Sequence, residues 1–418
     1  MDRRKFLAGS AATSGLMFLK PKTAFGYEAN SAVRYALLGC GNRGTSVATS
    51  FAKNTTARIV ALADLFPDQL EKGKAHFDQL NQSLGYAGPE LQFRGYKAFE
   101  ELAASPHVDA VQISTPPWFH VQHLEAVVRG NKHAYCEKPV GIDIAQTNQA
   151  LEIAKHINGK VSVDVGFQIR SAPPFVEIVR RIHDGALGKI ATITAHYNAP
   201  PAVEHDFPSA SADEQRIRNW LWWRNLSGDI LVEQNIHVID ICNWILQSYP
   251  IKAVATGGRN IINHPGDCWD NYQVSFTYPD DVHLSFSSTQ FCPGHWFDVS
   301  ERVFGAKGIA EAPYSGPLRV IGDNAWTWSE STTQPTGSFA ANGSFSDNLA
   351  QADSEKDKGF IESITSGKFH NQIATGVETA RSCMLGRMAG QLKREVTWDE
   401  LLAHGEEYHL DINMSQFT

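Results

Sequence analysis

The sequence predicts an α/β chain in two parts, an N-terminal Rossmann domain followed by a C-terminal α/β domain with a large open mixed or antiparallel sheet. Three observations predict it. A glycine-rich turn follows the first apolar run, and short apolar runs then alternate with helical stretches up to residue 168. Strand-like runs dominate after residue 190. At 418 residues, 42 % of them hydrophobic, the chain can bury a core large enough for two domains. The expected division is a lead at 1–30, the Rossmann domain at 31–168, and the C-terminal α/β domain at 169–418.

The lead reads as an export signal. Asp2-Arg3-Arg4-Lys5-Phe6-Leu7 resembles the twin-arginine motif, and a mildly apolar stretch, Ala8 to Leu19, follows it. Lys20 and a small-residue site near Ala24-Phe25-Gly26 complete the pattern. The twin-arginine route carries folded proteins, so the expectation is a periplasmic or otherwise exported protein that loads its nucleotide first. A plain basic N-terminus is the alternative.

Val33 to Gly44 reads V-R-Y-A-L-L-G-C-G-N-R-G, a strand running into an intact G-x-G-x-x-G. Gly39 allows the tight turn, Gly41 lets a pyrophosphate approach the backbone, and Gly44 lets helix and strand pack closely. Asn42 and Arg43 lie inside this turn, and Thr45 to Lys53 reads as the first turns of a helix whose N-terminus offers N–H groups to phosphate. A second apolar run, Ala57 to Ala63, ends in Asp64, about 20 residues past the last glycine, where a carboxylate accepts from a ribose 2′-hydroxyl. Asp64 as a mere turn or cap residue before Pro67 is the plainer reading. No arginine follows directly to hold a 2′-phosphate, so NAD is expected rather than NADP.

The next strand, Val108 to Ser114, empties into Thr115-Pro116-Pro117-Trp118-Phe119-His120. Ligands of open α/β sheets sit beyond the carboxyl ends of strands, so Thr115, Pro116, Trp118 and His120 are expected to border the dinucleotide. A helix, Val121 to Gly130, leads to a strand, Lys132 to Cys136, and then to Glu137-Lys138-Pro139. The succession of G-C-G-N-R-G, V-D-A-V-Q-I-S-T-P-P-W-F-H and G-N-K-H-A-Y-C-E-K-P-V-G resembles the Gfo/Idh/MocA family of NAD(P)-dependent oxidoreductases. The resemblance continues through Val165 to Arg170 and a late helix, Phe360 to Gly390. It implies a Rossmann domain joined to an open mixed sheet, and action on sugars or cyclic polyols such as inositol. It also assigns the lysine of E-K-P, Lys138, to the reacting hydroxyl, and Glu137 to the nicotinamide ribose. Gln168 is a further cofactor candidate and Arg170 a substrate candidate.

Lys138 at a strand end aims an ammonium at the nicotinamide end, where it can stabilise a developing alkoxide. The second candidate is Glu233-Gln234-Asn235-Ile236-His237, with Glu233 and His237 at i and i+4 on one helix face. A carboxylate there would orient the imidazole, which would take the hydroxyl proton as hydride leaves carbon. The family pattern is D-x-G-x-H-x-x-D, so Glu233 replaces Asp and Asn235 replaces Gly; Asp240 could be the orienting partner instead. Trp222, Trp223 and Arg224 offer aromatic planes and a charged fork suited to a pyranose, with core packing as the equal alternative.

Strand-like runs at Ile190 to Tyr197, Ile251 to Gly257 and a hairpin, Tyr272 to Thr289, turned at Pro279-Asp280-Asp281, predict one broad sheet. That sheet is also the expected surface for a homo-oligomer. Residues 329–350, rich in Ser, Thr, Gly and Asn, read as a long polar loop. A net charge of −8 without a basic patch argues against nucleic acid, and no apolar run reaches membrane-spanning length. The six cysteines are scattered without a C-x-x-C pair, and His205-Asp206 alone is too little for a metal site. These readings converge on an exported oxidoreductase that transfers hydride between a tightly held NAD and a secondary hydroxyl of a sugar, glycoside or cyclic polyol. Glycoside cleavage through transient oxidation and elimination is the second expectation, and a non-catalytic binding protein the third.

Overall fold

The computed structural model describes residues 32–157, 159–293, 296–329 and 347–418. The twin-arginine-like segment and most of the polar loop at 329–350 lie outside them. The first sheet has the order β3-β2-β1-β4-β5-β6. Its strands are β1 (Val33–Leu38), β2 (Ala57–Asp64), β3 (Leu91–Arg94), β4 (Ala110–Ile113), β5 (His133–Cys136) and β6 (Val163–Val165). All adjacent pairs are parallel. Being covered on both faces, β1 and β4 read as nearly continuous apolar runs. Strand order reverses between β1 and β4, and the crevice this opens at their carboxyl ends is where dinucleotides lie in such sheets.

The glycines of the first turn differ in what surrounds them. Gly39 has φ +97°, and a Cβ there would lie 2.6 Å from Ser114 O. A Cβ on Gly44 would lie 2.1 Å from Gly39 O, whereas one on Gly41 would meet nothing within 4 Å. Gly44 is therefore a packing residue, and the space over Gly41 is left for a ligand. Gly44→Ala is expected to destabilise the fold by about 2 kcal/mol or more through backbone displacement, measured by chemical denaturation. Gly41→Ala should fold as wild type and bind NADH about tenfold more weakly, by the loss of close phosphate approach, in a fluorescence titration.

The second sheet has nine strands in the order β14-β13-β12-β11-β7-β10-β9-β8-β15. Its strands are β7 (Ile190–Asn198), β8 (Lys252–Gly258), β9 (Asn271–Thr277), β10 (His283–Thr289), β11 (Asp298–Gly305), β12 (Gly308–Pro313), β13 (Arg319–Gly322), β14 (Trp326–Thr327) and β15 (Val396–Thr397). It is mixed: β7 and β10 run parallel within otherwise antiparallel neighbours. Alternation sets the faces. In β9, Tyr272, Val274 and Phe276 are buried while Gln273 and Ser275 are exposed. The buried face packs on helices Ile236–Leu246 and Ile373–Leu392. The other face is largely Thr, Ser and Gln, with Val254 and Ile321 among its exposed apolar residues.

One expected element differs. Residues 360–390 are not a single helix but parts of two, Ala352–Ser366 and Ile373–Leu392, because Gly367 caps the first in the left-handed region at φ +70°. The break sends the first helix onto Asn42–Asn54 of the first domain and the second beneath the nine-stranded sheet.

Candidate active site

At the adenosine end, Asp64 closes β2 with its carboxylate already committed to the turn. Its Oδ2 accepts from the Cys40 N–H at 2.6 Å and its Oδ1 from the Phe66 N–H at 2.9 Å. Each oxygen keeps a second lone pair for a ribose hydroxyl. Burial pushes this acid up to about 6, so at neutral pH it is an acceptor. The helix Asn42–Asn54 starts directly after Gly41 without a side-chain cap, leaving its first N–H groups for phosphate. The chain thus fits the dinucleotide on three counts: the free space at Gly41, the carboxylate at Asp64 and the uncapped helix.

Lys138 follows β5 in a cis Lys138–Pro139 peptide. Its Nζ donates to Glu233 O at 2.5 Å and to Glu233 Oε1 at 2.6 Å, with both side chains nearly buried. An ammonium has three protons, so one remains for a substrate oxygen. Glu233 therefore positions Lys138 and not His237. The physical reason is a break in the helix. Helix Ile230–Glu233 ends at Gln234, the Asn235 N–H reaches back five residues to Ile230 O at 2.9 Å, and a new helix starts at Ile236. That wide turn shifts the helical phase, so the i,i+4 alignment fails.

His237 lies edge-on to Phe167, ring centres 6.3 Å apart, and its buried Nδ1 has no hydrogen-bond partner among the described residues. Burial, followed by the positive charges of Lys138 and Arg43, pushes its pKa well below the usual histidine value. The ring is neutral at physiological pH and open to a proton. Asp240 does not orient it either: that carboxylate takes Arg170 as a two-pronged pair at 2.7 and 2.9 Å, and Thr379 at 3.0 Å. Asn235 is fully buried, with neither side-chain oxygen nor nitrogen partnered among the described residues, and Gln168, next to Phe167, has an Oε1 likewise without a partner among them. Glu233→Gln retains a hydrogen bond to Lys138 but removes the countercharge. It is expected to lower kcat about tenfold and, because the nearly buried ammonium loses its countercharge, to lower the melting temperature as well, in steady-state assays beside a thermal scan.

Several expected contacts have other duties. Arg43 bridges Glu137 at 2.9 Å and Asp353 at 3.0 Å, so it ties the glycine turn to helix Ala352–Ser366. A Cβ on Gly166 would come within 2.5 Å of Glu137 Oε2, so a larger residue there would have to displace that carboxylate. His120 sits between two loops, Nδ1 2.8 Å from Pro139 O and Nε2 2.7 Å from Thr115 O; burial disfavours its charged form, and the neutral ring's single N–H donates to one of the two. The Thr115 hydroxyl is engaged with His123 at 3.0 Å. Pro116 leads into the short turn Pro117–Phe119, and Trp118 sits within it with its carbonyl accepting from Gln146 at 3.0 Å.

The aromatic platform is corrected. Trp222 is 2 % exposed and stacked on His264, ring centres 4.4 Å apart, so it is core. Trp223 carries Arg216 over its face at 4.8 Å. Arg224 is the counter-ion of buried Asp229, at 3.3 Å, and donates to Asp267 O at 3.1 Å. Asp229 has φ 76° and ψ 163°, a region almost confined to glycine and costing on the order of 1–3 kcal/mol elsewhere. Its oxygens hold the turn there, accepting from Ile230 N–H at 2.7 Å, Trp269 N–H at 3.1 Å and the Tyr272 hydroxyl at 3.0 Å.

Two residues escaped sequence reasoning. Tyr197, at the end of β7, shares the buried face with Ile193 and Ala195; burial and the nearby Glu233 carboxylate raise its pKa. The period-2 pattern of β7 could have flagged it. Asp353 carried no signal, lying 310 positions from the Arg43 it pairs with.

A six-stranded parallel sheet with a glycine turn, a carboxylate closing the second strand and an ammonium at the opposite end of the crevice defines a Rossmann-type NAD-dependent oxidoreductase. Residues 33–165 match the oxidoreductase family with NAD-binding Rossmann fold, GFO_IDH_MocA, and residues 175–311 match the GFO/IDH/MocA C-terminal domain. The chain belongs to the Gfo/Idh/MocA family. It is 27 % identical over 291 residues to inositol 2-dehydrogenase of Rhizobium meliloti (strain 1021), covering 69 % of this chain and 78 % of that one. The structure of scyllo-inositol dehydrogenase from Lactobacillus casei with bound cofactor NAD(H) and scyllo-inositol superposes with a TM-score of 0.65 at 20 % identity, over 88 % of this chain and 99 % of that one. Aldose-aldose oxidoreductase from Caulobacter crescentus, complexed with glycerol, gives 0.66 at 21 %, over 88 % and 99 %. At these identities the structural likeness is one of fold.

Proposed function

We propose that this chain oxidises a secondary hydroxyl of a cyclic polyol or sugar. Bound NAD supplies the hydride acceptor. The observation that carries the reading is the Lys138–Glu233 pair, 2.6 Å long, set beside a neutral His237 whose Nδ1 is unpartnered. Glu233 holds the ammonium in place, and the third proton of Lys138 donates to the reacting oxygen as negative charge develops there. His237 takes the hydroxyl proton, and the two nearby cations that disfavour its charged form keep it ready to do so. The inositol dehydrogenases among the relatives support a polyol.

The test uses the purified full chain. Denatured samples are assayed for NAD(H), and native protein is mixed with inositols, monosaccharides and aryl glycosides. Growth of reduced-nicotinamide absorbance with a polyol or sugar is the expected result. Release of aryl alcohol without net change in cofactor, or silence towards every polyhydroxylated compound by protein carrying NAD, would overturn the reading.

A further inference from the structure

The adenosine half of the crevice is bridged from outside the first sheet. With the order β3-β2-β1-β4-β5-β6, Lys138 after β5 marks the nicotinamide side, and the adenosine half lies over the carboxyl ends of β2 and β3. Phe66, two residues beyond Asp64, is covered on that edge by two separate segments. Helix Ala212–Arg218 sends Arg218 over the Phe66 ring at 3.9 Å, fixed by Asp68 at 2.6 and 3.2 Å and by Glu214 at 2.7 Å. Phe417 meets Phe66 edge-on, ring centres 5.8 Å apart at 86°, and its carbonyl accepts from the Tyr96 N–H at 2.9 Å, just past β3.

The route to Phe417 is equally specific. The chain leaves helix Trp398–His404 at Gly405, and the Tyr408 N–H donates to Asp143 Oδ2 at 2.9 Å, in the loop after the Glu137-Lys138-Pro139 turn. It then passes Asn225, whose Nδ2 donates to His409 O at 3.0 Å, and Asp213, whose Oδ2 accepts from Gln416 Nε2 at 2.8 Å. A single stretch thus runs from the nicotinamide side to the adenosine side, outside the crevice. Most of its residues are half-buried or exposed, so it can lift without unfolding either sheet.

We propose that residues 405–417 form a strap that, with Arg218, closes over the adenosine end and holds NAD between turnovers. The inference rests on NAD occupying the crevice described above. Nucleotide can leave only from the fraction of molecules with the strap lifted, so release slows in proportion to that fraction. Exchange with free nucleotide is then slow, and a second oxidised substrate, a ketone or aldose, is needed to take the hydride back.

The experiment follows NADH release. Protein loaded with NADH is mixed with excess ADP-ribose, and loss of nicotinamide fluorescence is timed for wild type, Phe417→Ala and a chain truncated after Asn413. Release about tenfold faster or more in the folded variants, with unchanged nucleotide stoichiometry at saturation, is expected. Circular dichroism and melting identify folded variants, and Phe417→Ala carries the test if the truncated chain is insoluble. Wild-type release rates in a folded variant overturn the strap alone. A wild-type chain that binds no nicotinamide nucleotide overturns the strap and the proposed activity together.

Discussion

Lys138→Ala is expected to lower kcat by about 10³-fold while leaving NADH affinity within a few-fold of wild type. The ammonium acts on charge that develops only in the transition state, so its loss falls on turnover and not on binding. The substitution has a second effect. It leaves Glu233, 9 % exposed, without its partner 2.6 Å away. Breaking a buried pair from one side costs on the order of 3–5 kcal/mol of stability. The double variant Lys138→Met/Glu233→Gln separates the two effects. It should recover most of the stability by removing both charges, and recover none of the turnover. Denaturation curves and steady-state rates read the two quantities independently. A double variant that regained kcat would show that Lys138 matters only through the fold.

His237→Ala is expected to lower kcat/KM by about 10²–10⁴-fold and to change the shape of its pH profile. In wild type the folded-state pKa lies well below 6.5, since burial and then Lys138 and Arg43 disfavour the imidazolium. The acid limb of log kcat/KM should therefore fall below pH 6.5, with a plateau above it, and the variant should lose that limb. Stability follows the same sign. Below pH 6.5 the unfolded chain binds a proton at this residue that the folded chain refuses, so the contribution is fully present above 6.5 and is lost as pH falls. A variant that retained the limb would assign it to another group.

The glycine turn was legible because its signals are local. Gly39 and Gly44 act through backbone geometry, the space over Gly41 is open, and Asp64 closes the turn on the Cys40 N–H, all within one β-α-β unit. The reacting half was legible in residue identity and not in partnership. Glu233 and His237 were read on an unbroken helix, and the wide turn at Gln234–Asn235 that reassigns Glu233 to Lys138 has no signature in periodicity. Sugar platform and core packing stayed level for Trp222 because composition cannot tell an aromatic lining a cleft from one stacked on His264 in the core. Arg43 offered the same difficulty at longer range. A guanidinium in a glycine turn suggests phosphate until a helix from the far end of the chain presents Asp353. The Ala352–Ser366 boundary, likewise, depended on whether Gly367 would be tolerated or would cap.

Two ion pairs of the site, Lys138 with Glu233 and Arg43 with Asp353, join residues 95 and 310 positions apart in the chain. Chemistry on this scaffold is stitched along a seam, so substitutions that loosen the seam should appear as heat lability and slow turnover in the same variants. Improving either property by random change would then tend to carry the other along, and the usual trade between a rigid scaffold and an active one would be muted at these positions.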